Sequence, residues 1–136
     1  MAIKFGTEEW VKAARAELNK SQAYKDAAKR WEGDMYFIVE PEGGLKETLV
    51  TYFDLWHGEC RAASAPADES GKTAAYRFWA PLSVWRSILE KKLDPVQAMM
   101  TGKLKLKGDM AQIMKMPRAA SELVECVTHI KTEFPE

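Results

Sequence analysis

The run from Asp94 to Met116 (Asp-Pro-Val-Gln-Ala-Met-Met-Thr-Gly-Lys-Leu-Lys-Leu-Lys-Gly-Asp-Met-Ala-Gln-Ile-Met-Lys-Met) constrains the fold more than any other stretch, because it carries its own start and stop signals. Asp94 can accept hydrogen bonds from the free N–H groups of a first helical turn, Pro95 suits the first helical position, where no N–H is needed, and Gly102 is a natural stop. Lys103-Leu104-Lys105-Leu106-Lys107 then alternates strictly, as a strand with one apolar and one solvated face does. Gly108 breaks that strand, and Asp109 caps a second helix whose Met110, Ile113 and Met114 fall on one face. The run therefore predicts helix, strand and helix with one shared apolar side, and it holds five of the seven methionines.

The flanking sequence supplies the rest of the elements. Thr7, followed by Glu8 and Glu9, opens a helix over about residues 7–20, with Trp10, Val11, Ala14 and Leu18 as its stripe. Ser21 caps a second helix carrying Tyr24, Ala27, Ala28 and Trp31, and Gly33-Asp34 ends it. Aromatic and β-branched residues then predict a meander: strands over 35–40 and 45–57, a weaker one near 58–65, and a fourth over 73–80. Pro81 starts a helix with Leu82, Trp85, Ile88 and Leu89 on one face, and beyond Pro117 the last helix aligns Ala120, Leu123, Val124, Val127 and Ile130. The order predicts an α+β domain spanning 1–136, with helices layered on a mostly antiparallel sheet of five strands.

Charge and cysteine usage exclude several functions. Lysine plus arginine equal aspartate plus glutamate at twenty each, so no bulk positive field exists to collect phosphates, and nucleic acid is not an expected partner. Cys60 and Cys126 are the only cysteines, and the N-terminus lacks the apolar run of a secretory signal, so free thiols and a cytoplasmic location are expected. No apolar run approaches a membrane span, and the closing Phe134-Pro135-Glu136 is no peroxisomal address.

Candidate catalytic groups read as structural. Gly71-Lys72-Thr73 resembles the end of a phosphate loop, but Pro66 stands where the leading glycine belongs. His57 and Cys60, three apart on a strand, point to opposite faces unless a bulge intervenes. Cys126 and His129 share a helix face, yet two ligands make no metal site, and Cys126 adjoins the apolar stripe. The acidic pairs sit at helix starts, turns or polar faces, so no catalytic constellation, cofactor or metal is expected and the chain reads as no enzyme.

Two surfaces carry further expectations. Lys103, Lys105 and Lys107 form a basic row that keeps an edge strand in water, with transient contact to an anionic membrane surface as the minor reading. Tyr52 and Trp56 alternate with Thr51, Phe53 and Leu55, so both sheet faces are apolar. One cover is expected from the opening helices, and the other from a cavity or a second subunit in a homodimer.

Asp94-Pro95, Ala98, Gly102-Lys103-Leu104-Lys105, Gly108-Asp109-Met110 and Met114-Lys115 closely resemble the signature of the sterol carrier protein type 2 family, specifically its sterol-transfer domain. The resemblance is strongest from about Tyr76 to Ile130. It implies helices packed on a five-stranded sheet around an apolar cavity closed partly by the C-terminal helix, and non-enzymatic binding or transfer of fatty acid, acyl-coenzyme A or a sterol-like lipid. Composition alone reads the methionines as core filling; the resemblance makes them cavity wall. Facing and resemblance together nominate Phe78, Trp85, Leu89, Met99, Met100, Leu104, Leu106, Met110, Ile113 and Met114 as lipid-contacting residues, with Leu123 and Val127 as a lid. The rival expectation is an oligomerising or accessory subunit of an enzyme, with no open lipid cavity.

Overall fold

The computed structural model describes residues 2–71 and 73–135. Lys72, part of the Gly71-Lys72-Thr73 motif weighed above, lies outside the described residues. In chain order the elements are β1 Ile3–Lys4, α1 Glu8–Lys20, α2 Gln22–Ala27, β2 Glu32–Glu40, β3 Leu49–Trp56, β4 Glu59–Ser64, β5 Tyr76–Pro81, α3 Leu82–Leu89, α4 Pro95–Met100, β6 Lys105–Lys107, α5 Met110–Lys115, α6 Pro117–Thr128 and β7 Thr132–Glu133. The main sheet has five strands in the order β4-β3-β2-β5-β6, antiparallel at every pairing except the parallel contact of β2 with β5.

The capping chemistry forms as the side chains require. Thr7, Ser21, Asp94 and Asp109 accept from the backbone N–H groups of Trp10, Tyr24, Gln97 and Gln112, each three residues on. Each cap satisfies one donor that the first helical turn leaves free, so the short α2, α4 and α5 begin at defined residues.

Several boundaries differ from the sequence-based expectation. β2 begins at Glu32 and not after Gly33-Asp34, because Glu32 pairs with Trp56 and Gly33 with Leu55 in the β3 ladder. β3 begins at Leu49, since Leu45 turns back to pair with Glu42 in an isolated bridge. Lys103 and Leu104 donate their N–H groups to the Ala98 carbonyl at the end of α4, which leaves only 105–107 for the edge strand. The two-residue strands β1 and β7 pair in parallel and tie the chain ends together, a pairing too short to leave a periodic signal.

One face of the sheet carries all the helices. Met35, Val39, Phe53, Leu55, Tyr76 and Phe78 belong to the same apolar cluster as buried residues from all of α1–α6. On the opposite face Tyr36, Ile38, Val50 and Tyr52 form a separate small cluster against Ala74 and Trp79. The opening helices and the cavity thus share a side, contrary to the expectation that they cover opposite sides. The chain's own Glu69, Ala74 and Ala75 meet this side of the sheet: Ala74 packs on the outer cluster, the Tyr36 hydroxyl donates to the Glu69 carbonyl at 3.4 Å, and the Ala75 N–H donates to Asp34 Oδ1 at 2.8 Å.

Candidate functional site: an apolar cavity under the helices

Strand alternation builds the floor. Met35, Phe37 and Val39 of β2, Thr51, Phe53 and Leu55 of β3, and Phe78 of β5 face the helices because every second residue points the same way. Phe37 stacks on Phe78 at 5.3 Å between ring centroids and meets Trp85 edge-on at 5.5 Å, so the floor is a set of interlocked aromatic rings. The walls come from Trp10 and Leu18 of α1, Tyr24 of α2, Trp31, and Trp85, Ile88 and Leu89 of α3. Met99, Leu104, Ile113 and Met116 close one side, and Ala119, Ala120, Leu123, Val124 and Val127 of α6 form the roof.

These side chains leave a cavity of about 120 Å³. No aspartate, glutamate, lysine, arginine or histidine lines it among the described residues. Beside it lies a polar cleft between the end of α3, the start of α4 and α6, bordered by Lys91, Asp94, Ser121, Glu122 and Glu125. Ile88, Pro95 and Val124 border both spaces, so the cleft adjoins the cavity across these side chains, in the position of a vestibule. An ion pair between Lys91 and Glu125 crosses it, and the Lys91 ammonium holds the Glu125 carboxyl below the usual carboxylate range.

Of the twelve residues nominated from sequence, eight border the cavity: Phe78, Trp85, Leu89, Met99, Leu104, Ile113, Leu123 and Val127. Met100 and Met114 do not; they are 70% and 37% exposed. Each directly follows a lining residue, Met99 or Ile113, and a step of one residue turns a helical side chain through about 100°, out of the shared face. Leu106 and Met110 pack against the core from the edge strand and the start of α5 without reaching the cavity. Sequence reasoning missed the wall's N-terminal half: Trp10, Leu18, Tyr24, Trp31 and the inward residues of β2 and β3. The signal was present in the stripe of α1 and the alternation of β2, but both read equally well as ordinary core.

The groups weighed for chemistry sit elsewhere. The β3–β4 ladder carries the bulge that convergence of His57 and Cys60 would need, between Asp54 and Leu55, yet the two side chains go separate ways. The His57 ring pairs with Glu32 at 2.6 Å in solvent, while Cys60 is buried with its thiol directed to the Ala62 carbonyl. Burial pushes the Cys60 thiol up to about 11, the opposite of what a nucleophile needs. His129 pairs with Glu17 at 3.2 Å, Cys126 is buried, and no group of three or more metal-ligating side chains occurs among the described residues. Among the described residues no helix is long and apolar enough to cross a membrane.

Comparison with known proteins places this architecture. A crystal structure of sterol carrier protein 2 is 37% identical, with 93% of this chain and 99% of that one covered and a TM-score of 0.86. A solution structure from Thermus thermophilus, described as possibly a sterol carrier protein, is 35% identical, covering 97% and 93% of the two chains at a TM-score of 0.87. Sterol carrier protein 2 from Yarrowia lipolytica, in its apo form, is 20% identical with a TM-score of 0.58 over 86% of this chain and 88% of that one, and shows the fold alone. No curated protein matches the chain at a significant level. The model of the SCP-2 sterol transfer family matches residues 7–121, most of the cavity's wall included, and the chain belongs to that family.

Proposed function

We propose that residues 1–136 act as one non-enzymatic lipid-binding domain that takes the apolar part of a lipid into the cavity and passes it on. The observation that carries this reading is the wall itself, almost wholly apolar and, among the described residues, free of charged side chains. Transfer of apolar surface out of water is then the driving force, about 0.8 kcal/mol per buried methylene. Long-chain fatty acids, acyl-coenzyme A and sterol-like molecules are the ligand classes to be compared.

Entry of a long chain requires movement. Space of about 120 Å³ suits a group the size of a small aromatic ring, well below the 300–1,000 Å³ of ordinary ligand pockets. The roof is the part built to yield: Met116 ends α5 and starts α6, and it makes no side-chain cap bond to α6. Leu123 and Val127 are in this reading the underside of a lid that lifts at the vestibule. The exposed Lys105 and Lys107 on the edge strand suit brief contact with an anionic membrane surface during delivery, in a cytoplasmic setting.

Mass spectrometry of organic extracts from the purified protein tests the reading, together with displacement of bound Nile red by added lipids. A stoichiometric lipid and saturable displacement are expected. Protein that yields no lipid and takes up no probe would remove the proposal and leave the accessory-subunit reading.

A further inference from the structure

Five polar side chains border the cavity, and four of them have committed their hydrogen-bonding groups to the protein. The indole N–H groups of Trp10, Trp31 and Trp85 donate to Thr132 Oγ1, the Gly33 carbonyl and the Ile38 carbonyl, each at 2.9 Å. The Thr51 hydroxyl donates to the Phe37 carbonyl at 3.1 Å. Tyr24 differs. Its side chain is 1% exposed, yet its hydroxyl has no hydrogen-bond partner among the described residues. No buried side-chain oxygen or nitrogen sealed from open space lacks a partner among those residues, so the Tyr24 hydroxyl must border open space. Tyr24 is one of the residues that line the cavity.

We propose that the Tyr24 hydroxyl is the polar anchor of the cavity, hydrogen-bonding an uncharged hydroxyl or carbonyl on the buried end of an otherwise apolar ligand. The proposal rests on the container reading above and adds to it a selective group. Tyr24 lines the cavity and not the vestibule, so a ligand group that reaches it has left water behind. A phenol can donate or accept there at little cost. An anion, by contrast, finds no cation on the wall to offset its lost hydration. The titratable neighbours of Tyr24 are the thiols of Cys60 and Cys126, which burial keeps neutral. The vestibule gives an anion no better reception, since Asp94, Glu122 and Glu125 border it against the single Lys91, which is already paired.

The test measures displacement of Nile red by dodecan-1-ol, tridecane and dodecanoate at pH 8, for the wild type and Tyr24→Phe. Loss of one neutral hydrogen bond should weaken dodecan-1-ol about 3- to 10-fold. Tridecane, of the same length in heavy atoms, should not change, and neither should dodecanoate, whose carboxylate stays outside. Tyr24→Phe should melt no lower than the wild type, because the hydroxyl makes no bond within the protein. Equal effects on the alcohol and the alkane would overturn the anchor while leaving the container intact. A larger loss for dodecanoate than for the alcohol would overturn its restriction to uncharged groups. A marked drop in melting temperature would show that the hydroxyl has a structural partner after all. If the wild type releases Nile red to none of the three, or never binds it, the container reading fails and this one with it.

Discussion

The face of the sheet that carries Met35, Phe37 and Val39 and the face that carries Tyr36, Ile38 and Tyr52 come from alternate residues of the same strand and its neighbour, yet they are closed in different ways. The inner face meets six helices whose bulky side chains stop short of one another and leave a cavity. The outer face meets only a few residues from outside the sheet, Glu69, Ala74 and Ala75 among them, and polar bonds hold these contacts. Tyr52 donates to Asp34 at 2.6 Å, Asp34 accepts from Ala75, and Arg77 grips Glu69 with two N–H groups at 2.5 and 3.0 Å. Directional bonds hold the outer contacts, whereas apolar packing under the helices leaves unfilled space on the inner face. The difference teaches where this protein can change volume without losing its sheet.

The comparison breaks most visibly with a charge. Met99→Asp places a carboxylate on a wall that offers no cation, and the uncompensated charge should cost about 3 to 5 kcal/mol and abolish Nile red uptake. Met114→Asp, on the same run of sequence but more than a third exposed, should shift stability by less than about 0.5 kcal/mol and leave uptake unchanged. Urea unfolding and probe titration on both variants decide the matter. Lost uptake in a folded Met114→Asp protein would show that the wall has been drawn in the wrong place.

That pair also marks how far the sequence could be read. The caps at Thr7, Ser21, Asp94 and Asp109 were legible because a side-chain acceptor followed by a helical stripe has one local solution. The antiparallel strands were legible from alternation, but the parallel contact of β2 with β5 was not, since their residues lie some forty positions apart and nothing local records the pairing. For the cavity, periodicity identified which residues turn inward. It could not say which inward residues touch one another and which border open space, because both are apolar for the same reason. Met99 and Met100 are chemically identical neighbours, and only the end of α4 and its turn onto β6 decide that one is wall and the other surface.

A second, smaller contrast separates packing from space. Ile38 on the outer face is 3% exposed and surrounded by Val50, Tyr36 and Tyr52, so Ile38→Ala should cost about 3 kcal/mol in transfer and cavity terms. Met99→Ala removes a side chain that already borders open space and has fewer contacts to lose, so a loss at the low end of the usual range, about 2 kcal/mol, is expected. Ile38→Ala should leave the affinity for Nile red unchanged, while Met99→Ala should alter it. Equal denaturation midpoints for the two variants would mean that the inner face is packed as tightly as the outer.

Alkaline pH offers a mild probe of the same asymmetry. Burial raises the Cys60 thiol from an ordinary value near 9 to about 11, against the pull of Arg15 and the hydrogen bond to Ala62. Below pH 9 the thiol is neutral in the folded and unfolded chains alike, and its contribution to stability is fully present. Above pH 9 the unfolded chain releases the proton while the folded one retains it, so stability falls as pH rises toward 11. Cys126 shifts in the same direction, also by burial. Tyr24, Tyr52 and Tyr76 are also raised by burial, Tyr52 further by its bond to Asp34, but an unfolded tyrosine titrates about one pH unit above an unfolded thiol. The lower part of the interval from pH 9 to 10 therefore reports mainly on the two inner thiols. Cys60 alone should account for a loss of about 1 kcal/mol across the whole interval, read as a fall in melting temperature, and a Cys60→Ala, Cys126→Ala double variant should show a flatter profile. A wild-type melting temperature that stays constant across that interval would mean that water reaches the thiols, and that the inner side of the sheet is wetter than its wall of side chains implies.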